Sequence, residues 1–406
     1  MGTVPVSSTD VAVVGGGPAG LALSLLLLRS GLSVTLLEKS RSLEREYRGE
    51  ILQPGGQAVL AELGVLDGAR RRGAFAHDGF QLVEGDRVLL DADYRRLPGP
   101  YNCLLSLPQP ALLTELLAAC RAHDAFTYLP GARVGALLRE DGRVCGVVAG
   151  EHEVRARVVA GADGRHSKVR RLAGIGAVRE EAFDQDVLWF KLPAPDTGRQ
   201  VVQVRRGPDA PVLVYRSWPD SVQIGWTLPH GGYRRIAGHG VEQVRELIAR
   251  AVPEHADAVR EHIRTLGDLT LLDVFSGQAE RWAADGLVLL GDSAHTHGPI
   301  GAQGINLALQ DAAVLHPVLV AALDAKDTSA AFLGRFEQQR RPAVTTMLRL
   351  QAMQGRAMLS RNRVADTLRP ALARVVSRTP LYRRVLDRLA HGPDPVRVRT
   401  DLFTHP

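Results

Sequence analysis

Short unbroken apolar runs at residues 11–14 and 33–37 read as strands buried on both faces, and residues 19–29 between them carry leucines at helical spacing. A further helix is expected from about Gly56, with Val59, Leu60 and Leu63 on one face and Gly64 as its C-cap, and another over 107–122, opening after Pro108. Alternation over 80–91 brackets Glu84-Gly85-Asp86, and that over 132–148 brackets Glu140-Asp141-Gly142-Arg143, so each reads as a hairpin. A strand over 154–160 runs into Gly161-Ala162-Asp163-Gly164. From 183 to 228 short proline-punctuated strands, at 187–192, 201–205, 212–216 and 222–228, predict an antiparallel sheet. A helix over 241–251, strand character within 269–275 and an apolar strand at 286–290 follow. From Leu307 the pattern is helical to the end, with interruptions expected near Pro317 and Pro342.

The first strand empties into Gly15-Gly16-Gly17-Pro18-Ala19-Gly20. Gly15 permits a tight turn, Gly17 lets the backbone approach a pyrophosphate, and Gly20 lets the helix pack closely on its strand. Pro18 falls in the first helical turn, where its missing N–H costs nothing. The free amides and positive dipole end at Ala19 favour a diphosphate. Glu38 closes the second strand about 20 residues further on, where a carboxylate accepts hydrogen bonds from a ribose 2′-hydroxyl and repels a 2′-phosphate. The groove therefore suits the adenosine of FAD or NAD and argues against NADPH in that position.

A second signature follows the strand at 286–290: Gly291-Asp292-Ser293-Ala294-His295, then Pro299 and Gly301 to Gly304-Ile305-Asn306. Asp292, at the carboxyl edge of the sheet, can reach a chain of hydroxyls. Gly301 and Gly304 permit close approach to a flat ring, and a helix starting near Ile305 and Asn306 aims amides at it. Such amides suit the negative charge that develops on the N1–C2=O edge of a reduced flavin. The elements predict an α/β fold: a discontinuous Rossmann-type FAD domain (9–75, 101–180 and 276–315), an inserted antiparallel-sheet substrate domain (76–100 with 181–275), and a helical C-terminal region (316–406).

At 406 residues the chain exceeds the roughly 250–300 over which one core grows, which agrees with several substructures. The net charge of +6 comes with only four lysines (Lys39, Lys168, Lys191, Lys326) and no aromatic-studded basic stripe, which excludes nucleic acid as a partner class. The arginine-rich end, Arg335 to Arg399, reads as solvated helix faces. Cys103, Cys120 and Cys145 form no CxxC pair or metal-like cluster, pointing to reduced thiols in the cytoplasm. The first ten residues lack a basic leader and the apolar run 21–28 is too short to cross a bilayer, so no membrane span is expected. His295 and His297, without a carboxylate cluster in sequence, read as structural, and no metal is expected.

With three motifs in order, Gly15-x-Gly17-x-x-Gly20, Asp163-Gly164, and Gly291-Asp292 with Pro299 and Gly301-x-x-Gly304, the chain resembles the class A flavoprotein aromatic hydroxylases. These are single-component FAD monooxygenases related to 4-hydroxybenzoate hydroxylase and phenol hydroxylase, and the resemblance covers nearly the whole chain. It implies that NAD(P)H reduces FAD, that O₂ adds at the flavin C4a, and that the resulting hydroperoxide hands an OH to an electron-rich carbon. It further implies Glu38 and Lys39 at the adenosine ribose, Arg48 beside the cofactor, Val134 at the adenine, and Gln109 at the ribityl or phosphate region. Asp292 would take the ribityl and pyrophosphate zone, Pro299, Gly304, Ile305 and Asn306 the flavin ring, and Asp163 both FAD and pyridine-nucleotide use. An added thioredoxin-like domain and a second glycine fingerprint are absent from the sequence. A reductase of geranylgeranyl-reductase type and a non-catalytic FAD binder are the rival readings of the same motifs.

The substrate is expected over the inserted sheet, facing Pro299, in a mostly apolar pocket. Trp189, Trp218, Trp226 and Tyr215 are its candidate aromatic lining. Tyr215, His230 and His77 are the candidate bases, and spacing does not choose among them. A fused-ring natural product is favoured over a simple benzoate because no arginine is plainly placed to clamp a carboxylate. Arg205, Arg206 and Arg216 keep the alternative open.

Overall fold

A computed structural model describes residues 6–44, 50–180, 185–194, 200–207, 210–359 and 379–404. At its centre five parallel strands lie side by side in the order Leu287–Leu289, His152–Gly161, Val6–Val14, Val34–Glu38, Phe126–Pro130. Val13 stands opposite both Leu36 and Ala160. With partners on both edges and layers on both faces, its strand can be continuously apolar from Val11 to Val14. The hairpin Ala136–Glu140 and Arg143–Ala149, turned by Asp141 and Gly142 at φ 49° and 81°, and the short strand Ala283–Ala284 complete this sheet.

Helix Pro18–Arg29 is buried at every position from Ala19 to Leu28. It sits between the sheet and helices Gly304–Asp324 and Gln109–Arg121, which explains a leucine run with no polar face. Among the described residues one helical stretch, 300–324, is long and apolar enough to cross a membrane, but most of it is buried inside the fold.

The second sheet has seven strands in the order Thr270–Leu272, Gln185–Pro193, Ser221–Pro229, Pro211–Ser217, Val201–Arg206, Gly79–Glu84, Arg87–Asp93. It departs from the expected antiparallel pattern at one pair, since Val201–Arg206 runs parallel to Gly79–Glu84. A parallel pair requires a long crossover, and the chain between 94 and 200 supplies it. One face of the sheet packs on helices Val241–Ala251 and Ala256–His262 through Leu188, Phe190, Val212 and Trp226. The opposite face carries Val187, Trp189 and Tyr215.

Pro317 and Pro342 do not interrupt the C-terminal helices; they lie inside Gly304–Asp324 and Ala330–Leu359. The break falls between these helices, where Lys326 takes φ 52°. An internal proline costs about 3 kcal/mol, and the burial of neighbours such as Leu315, Val318, Leu319, Ala343 and Val344 offsets it. Of the 269–275 run only Thr270–Leu272 pairs, because beyond it Asp273 is held by Arg165 through its carbonyl and by Arg179 through its carboxylate. The strand Phe126–Pro130 escaped the sequence reading, being a half-exposed edge without a clean alternation.

Candidate active site

The carboxyl ends of the parallel strands open into a cavity of about 620 Å³, well inside the range of roughly 300–1,000 Å³ for ligand sites. Trp189, Leu213, Tyr215 and Leu272 of the second sheet form its far wall, so the cavity joins the two halves of the fold.

At the near end the glycines do what their spacing implies. Gly15 has φ 110°, and a Cβ there would lie 2.4 Å from the Ala162 carbonyl oxygen. A Cβ on Gly20 would lie 1.9 Å from the Gly15 oxygen, so this third glycine seats the helix on its strand and does not line the cavity. Gly17 is the N-cap, Pro18 follows at N1, and no side chain caps the helix. The uncapped first turn, with Gly15, Gly17 and Ala19 on the cavity wall, offers amides to an anion. Glu38 is buried on the same wall, where its Oε2 accepts the Gly16 amide at 2.7 Å and its Oε1 the Ser40 amide at 2.9 Å. A carboxylate has about four acceptor sites, and this one stands on the cavity wall where a ligand hydroxyl would lie. Lys39, Gln109 and Val134 line this end as well, and Arg48 lies outside the described residues.

Asp163 borders the cavity, but its carboxylate is committed to the chain. Oδ1 accepts the Ser167 hydroxyl at 2.5 Å, and Oδ2 accepts the amides of Lys168 and Val169 at 2.6 and 3.0 Å. The residue thus ties down the short helix Lys168–Leu172. Asp292 lines the middle of the cavity, with the Arg165 Nε 3.9 Å from its Oδ2. Arg165, Lys168, Arg171 and Arg133 also reach this wall and were not singled out in the sequence; the place of the first three just after Asp163-Gly164 is the one signal that pointed to them.

The second glycine loop floors the other end. Gly301 and Ala302 both take positive φ, 71° and 50°. Pro299, Gly304 and Ile305 line the cavity, and a Cβ on Gly304 would meet nothing within 4 Å, leaving room for a flat ring above it. Helix Gly304–Asp324 begins here without a side-chain cap. Asn306 stands behind this wall, not on it: its Oδ1 accepts the Gln53 amide at 2.9 Å and its Nδ2 donates to the Ala302 carbonyl at 2.8 Å. Two anion-accepting helix starts, a buried carboxylate and an open glycine floor along one cavity fit a flavin dinucleotide.

Of the aromatic candidates, Trp189 and Tyr215 line the cavity and are buried. Trp226 is a correction. It pairs with Leu188, one residue out of phase with Trp189, and so points to the helices on the opposite face. Trp218 is corrected too, being largely exposed in the turn after Ser217 and packed against Gly73. His230 is no cavity residue, for it follows the strand end at Pro229 and its Nδ1 lies 2.9 Å from the Asp186 carboxylate. His77 is buried behind Tyr215, edge to face at 6.1 Å, with Nε2 3.1 Å from the Ser106 hydroxyl. Burial pushes it down to about 4, so it stays neutral. Arg205 pairs with Glu254, Arg206 lies near Glu84, and Arg216 stacks on Phe75; none lines the cavity. Glu50, missed in the sequence, is buried on the cavity wall, where its Oε1 accepts the Lys191 ammonium at 2.6 Å and its Oε2 the Ser217 hydroxyl at 2.5 Å.

Residues 8–351 match the model of a family described as FAD binding domain. Over 399 residues the chain is 59% identical to 6-methylpretetramide 4-monooxygenase of Streptomyces rimosus, covering 97% of this chain and 95% of that one. It is 31% identical to protoasukamycin 4-monooxygenase of Streptomyces nodosus subsp. asukaensis, over 84% of this chain and 86% of the relative. In fold it matches p-nitrophenol 4-monooxygenase of Pseudomonas putida DLL-E4 with a TM-score of 0.77 at 19% identity, over 96% of this chain and all of that one. Reductases of the same fold resemble it only distantly.

Proposed function

The chain belongs to the FAD-binding domain family and is an FAD-dependent monooxygenase acting on an aromatic or polycyclic natural-product-type substrate with NAD(P)H and O₂; we propose that this substrate is a fused-ring phenol of the 6-methylpretetramide type. The relative that is 59% identical to this chain is named for 6-methylpretetramide. The observation that carries the reading is the far wall of the cavity, in which Trp189, Leu213, Tyr215 and Leu272 form a broad apolar surface while Arg205, Arg206 and Arg216 are engaged elsewhere. Such a wall suits a flat ring system and offers no guanidinium from that sheet to a benzoate carboxylate.

When bound, FAD would supply the redox chemistry, a hydride taken from NAD(P)H and one oxygen atom of O₂ delivered to the substrate with the other leaving as water. In this proposal Gly15, Gly17 and Ala19 bring amides to the pyrophosphate, Glu38 and Lys39 meet the adenosine ribose, and Val134 borders the adenine. Gln109 and Asp292 take the ribityl zone. Pro299, Gly304 and Ile305 bring backbone against the ring; Asn306 supports them by bonding Gln53 and Ala302. Asp163 acts through the helix start it ties down, by way of Ser167 and the amides of Lys168 and Val169. Trp189 and Tyr215 pack on the substrate and exclude water. Glu50 holds a phenolic hydroxyl, its own position set by Lys191 and Ser217. Labour is divided accordingly: residues 9–75, 101–180 and 276–315 bind FAD, with Glu50 reaching across to the substrate, 76–100 with 181–275 bind substrate, and from the C-terminal region Gln351 buttresses the second glycine loop. The cytoplasm, as a source of NAD(P)H, is the proposed setting; the three cysteines are all free.

The test supplies purified flavoprotein with NAD(P)H, O₂ and either 6-methylpretetramide or 4-hydroxybenzoate, reading flavin reduction rate and product mass. The polycyclic compound should accelerate reduction and gain one oxygen. Turnover of the monocyclic acid alone would overturn the proposal.

A further inference from the structure

Beneath the second glycine loop lies a buried chain of polar side chains that the motifs alone do not explain. Asp311 accepts from the Gly291 amide at 2.9 Å and from Arg340 Nε at 2.7 Å, and His295 Nε2 lies 2.5 Å from its Oδ2. His295 Nδ1 lies 2.9 Å from His297 Nε2, and His297 Nδ1 lies 3.1 Å from Gln351 Oε1. Gln351 Nε2 donates to the carbonyls of Ile300 at 2.6 Å and Gly298 at 3.2 Å. His295, His297, Asp311, Arg340 and Gln351 are all at least 95% buried.

Donor and acceptor parity runs one way along this chain. Two backbone carbonyls require the Gln351 amide nitrogen, so its oxygen must face His297, and His297 Nδ1 must carry a proton. Ionised Asp311, already receiving Arg340 and an amide, requires a donor at His295 Nε2. The His295–His297 link then needs one proton between two rings that each already carry one, and the ring lying against the Asp311 carboxylate is the better holder of the charge, so His297 accepts at Nε2 and His295 Nδ1 donates. Two neutral rings would instead set the lone pairs of His295 Nδ1 and His297 Nε2 against each other at one link of a buried network.

We propose that His295 is an imidazolium, giving the His295–Asp311–Arg340 cluster one more positive than negative charge directly under the loop that floors the cavity, and that this charge favours the reduced state of the bound ring. The second half rests on the placement of FAD given above. Asp311, which burial would raise, is held down at about 2 by its contacts with His295 and Arg340, and burial pushes His297 down to about 3. The Trp282 ring packs on His295 at 5.0 Å, with the Arg341 guanidinium 5.2 Å from the same indole, and the Arg170 guanidinium reaches the carbonyls of Ser293 and Arg165.

Nitrogen-resolved histidine NMR of the flavin-loaded and flavin-free protein tests the charge directly. At a pH well above the ordinary histidine value of about 6.5, one histidine should show N–H signals at both ring nitrogens, absent from His295→Gln. A singly protonated His295 overturns the proposal. Gln351→Met, which removes the acceptor that enforces the parity, should leave His295 with one N–H signal in place of two at the same pH, a readout that holds even if His295→Gln folds poorly. The bound-flavin midpoint potential of His295→Gln should fall by about tenfold in the reduced-to-oxidised ratio, ~30 mV for two electrons. An unchanged potential overturns the electrostatic role. Failure to bind FAD at all would refute the functional reading instead, since the histidine signals are read without flavin.

Discussion

The two ends of the cavity are built by different means. Along the first glycine turn and the second glycine loop backbone forms the wall: Gly15 at φ 110°, Gly17 at an uncapped helix start, and Gly304 with open space above it. At the sheet end side chains do it, and their place depends on register. Trp189 lies opposite Gly225 and Leu188 opposite Trp226, so neighbouring positions on one strand pair send one indole to the cavity and another to the helices. Gly225 is part of that choice, because a Cβ there would lie 2.7 Å from the Trp189 ring. A site made of backbone is written in a few contiguous residues, whereas one made of side chains requires knowing which face each strand shows.

The sharpest way to break this contrast is to truncate each indole. Trp226→Ala should destabilise by about 3–5 kcal/mol, seen as a lower urea midpoint, while the KM for substrate and the FAD affinity of the folded fraction stay unchanged. A folded Trp226→Ala enzyme that has lost substrate-stimulated flavin reduction would put Trp226 in the site after all.

Acid should strike the structure through buried neutral histidines on both sides of the contrast. His77 behind Tyr215 and His316 under helix Pro18–Arg29 both lie at about 4, burial being the main cause. Their folded values are below the unfolded one, so the unfolded chain binds more protons between pH 6.5 and 4. Stability is fully present above about 6.5 and falls through that window by at most about 3 kcal/mol per group. Denaturant melts from pH 7 to 4 should show the slope, and His77→Gln should flatten part of it; a slope that ignores the substitution would mean His77 is not held neutral.

Smaller effects separate cofactor from substrate. Glu38→Ala leaves the Gly16 and Ser40 amides without their acceptor and should weaken FAD binding by about 1–3 kcal/mol, read by flavin titration. Trp189→Ala and Tyr215→Ala should keep their flavin but lose about 1.4 kcal/mol of contact with the substrate, a tenfold fall in kcat/KM. If instead they release FAD and leave kcat/KM intact, the far wall does not belong to the substrate.

The α/β order, the glycine turn and the carboxylate at Glu38 could be read in the sequence because each is a local instruction: a positive φ, a missing Cβ or an acid ending a strand has its meaning within a few residues. The parallel pairing of Val201–Arg206 with Gly79–Glu84 could not, since it joins segments far apart in the chain. Nor could the loss of Trp226 and His230 from the cavity, or the retreat of Asn306 behind its wall, because one residue of phase or one hydrogen bond to Gln53 decides each. Glu50 had no motif around it, and it became a cavity residue only when folding brought Lys191 and Ser217 to its two oxygens. His295 and His297 looked like two histidines without an acid until Asp311 and Gln351 closed on them from helices later in the chain. Sequence alone determined where backbone can meet a nucleotide; the tertiary structure decided which side chains face the cavity and which charges stay buried, because those depend on partners that only folding makes neighbours.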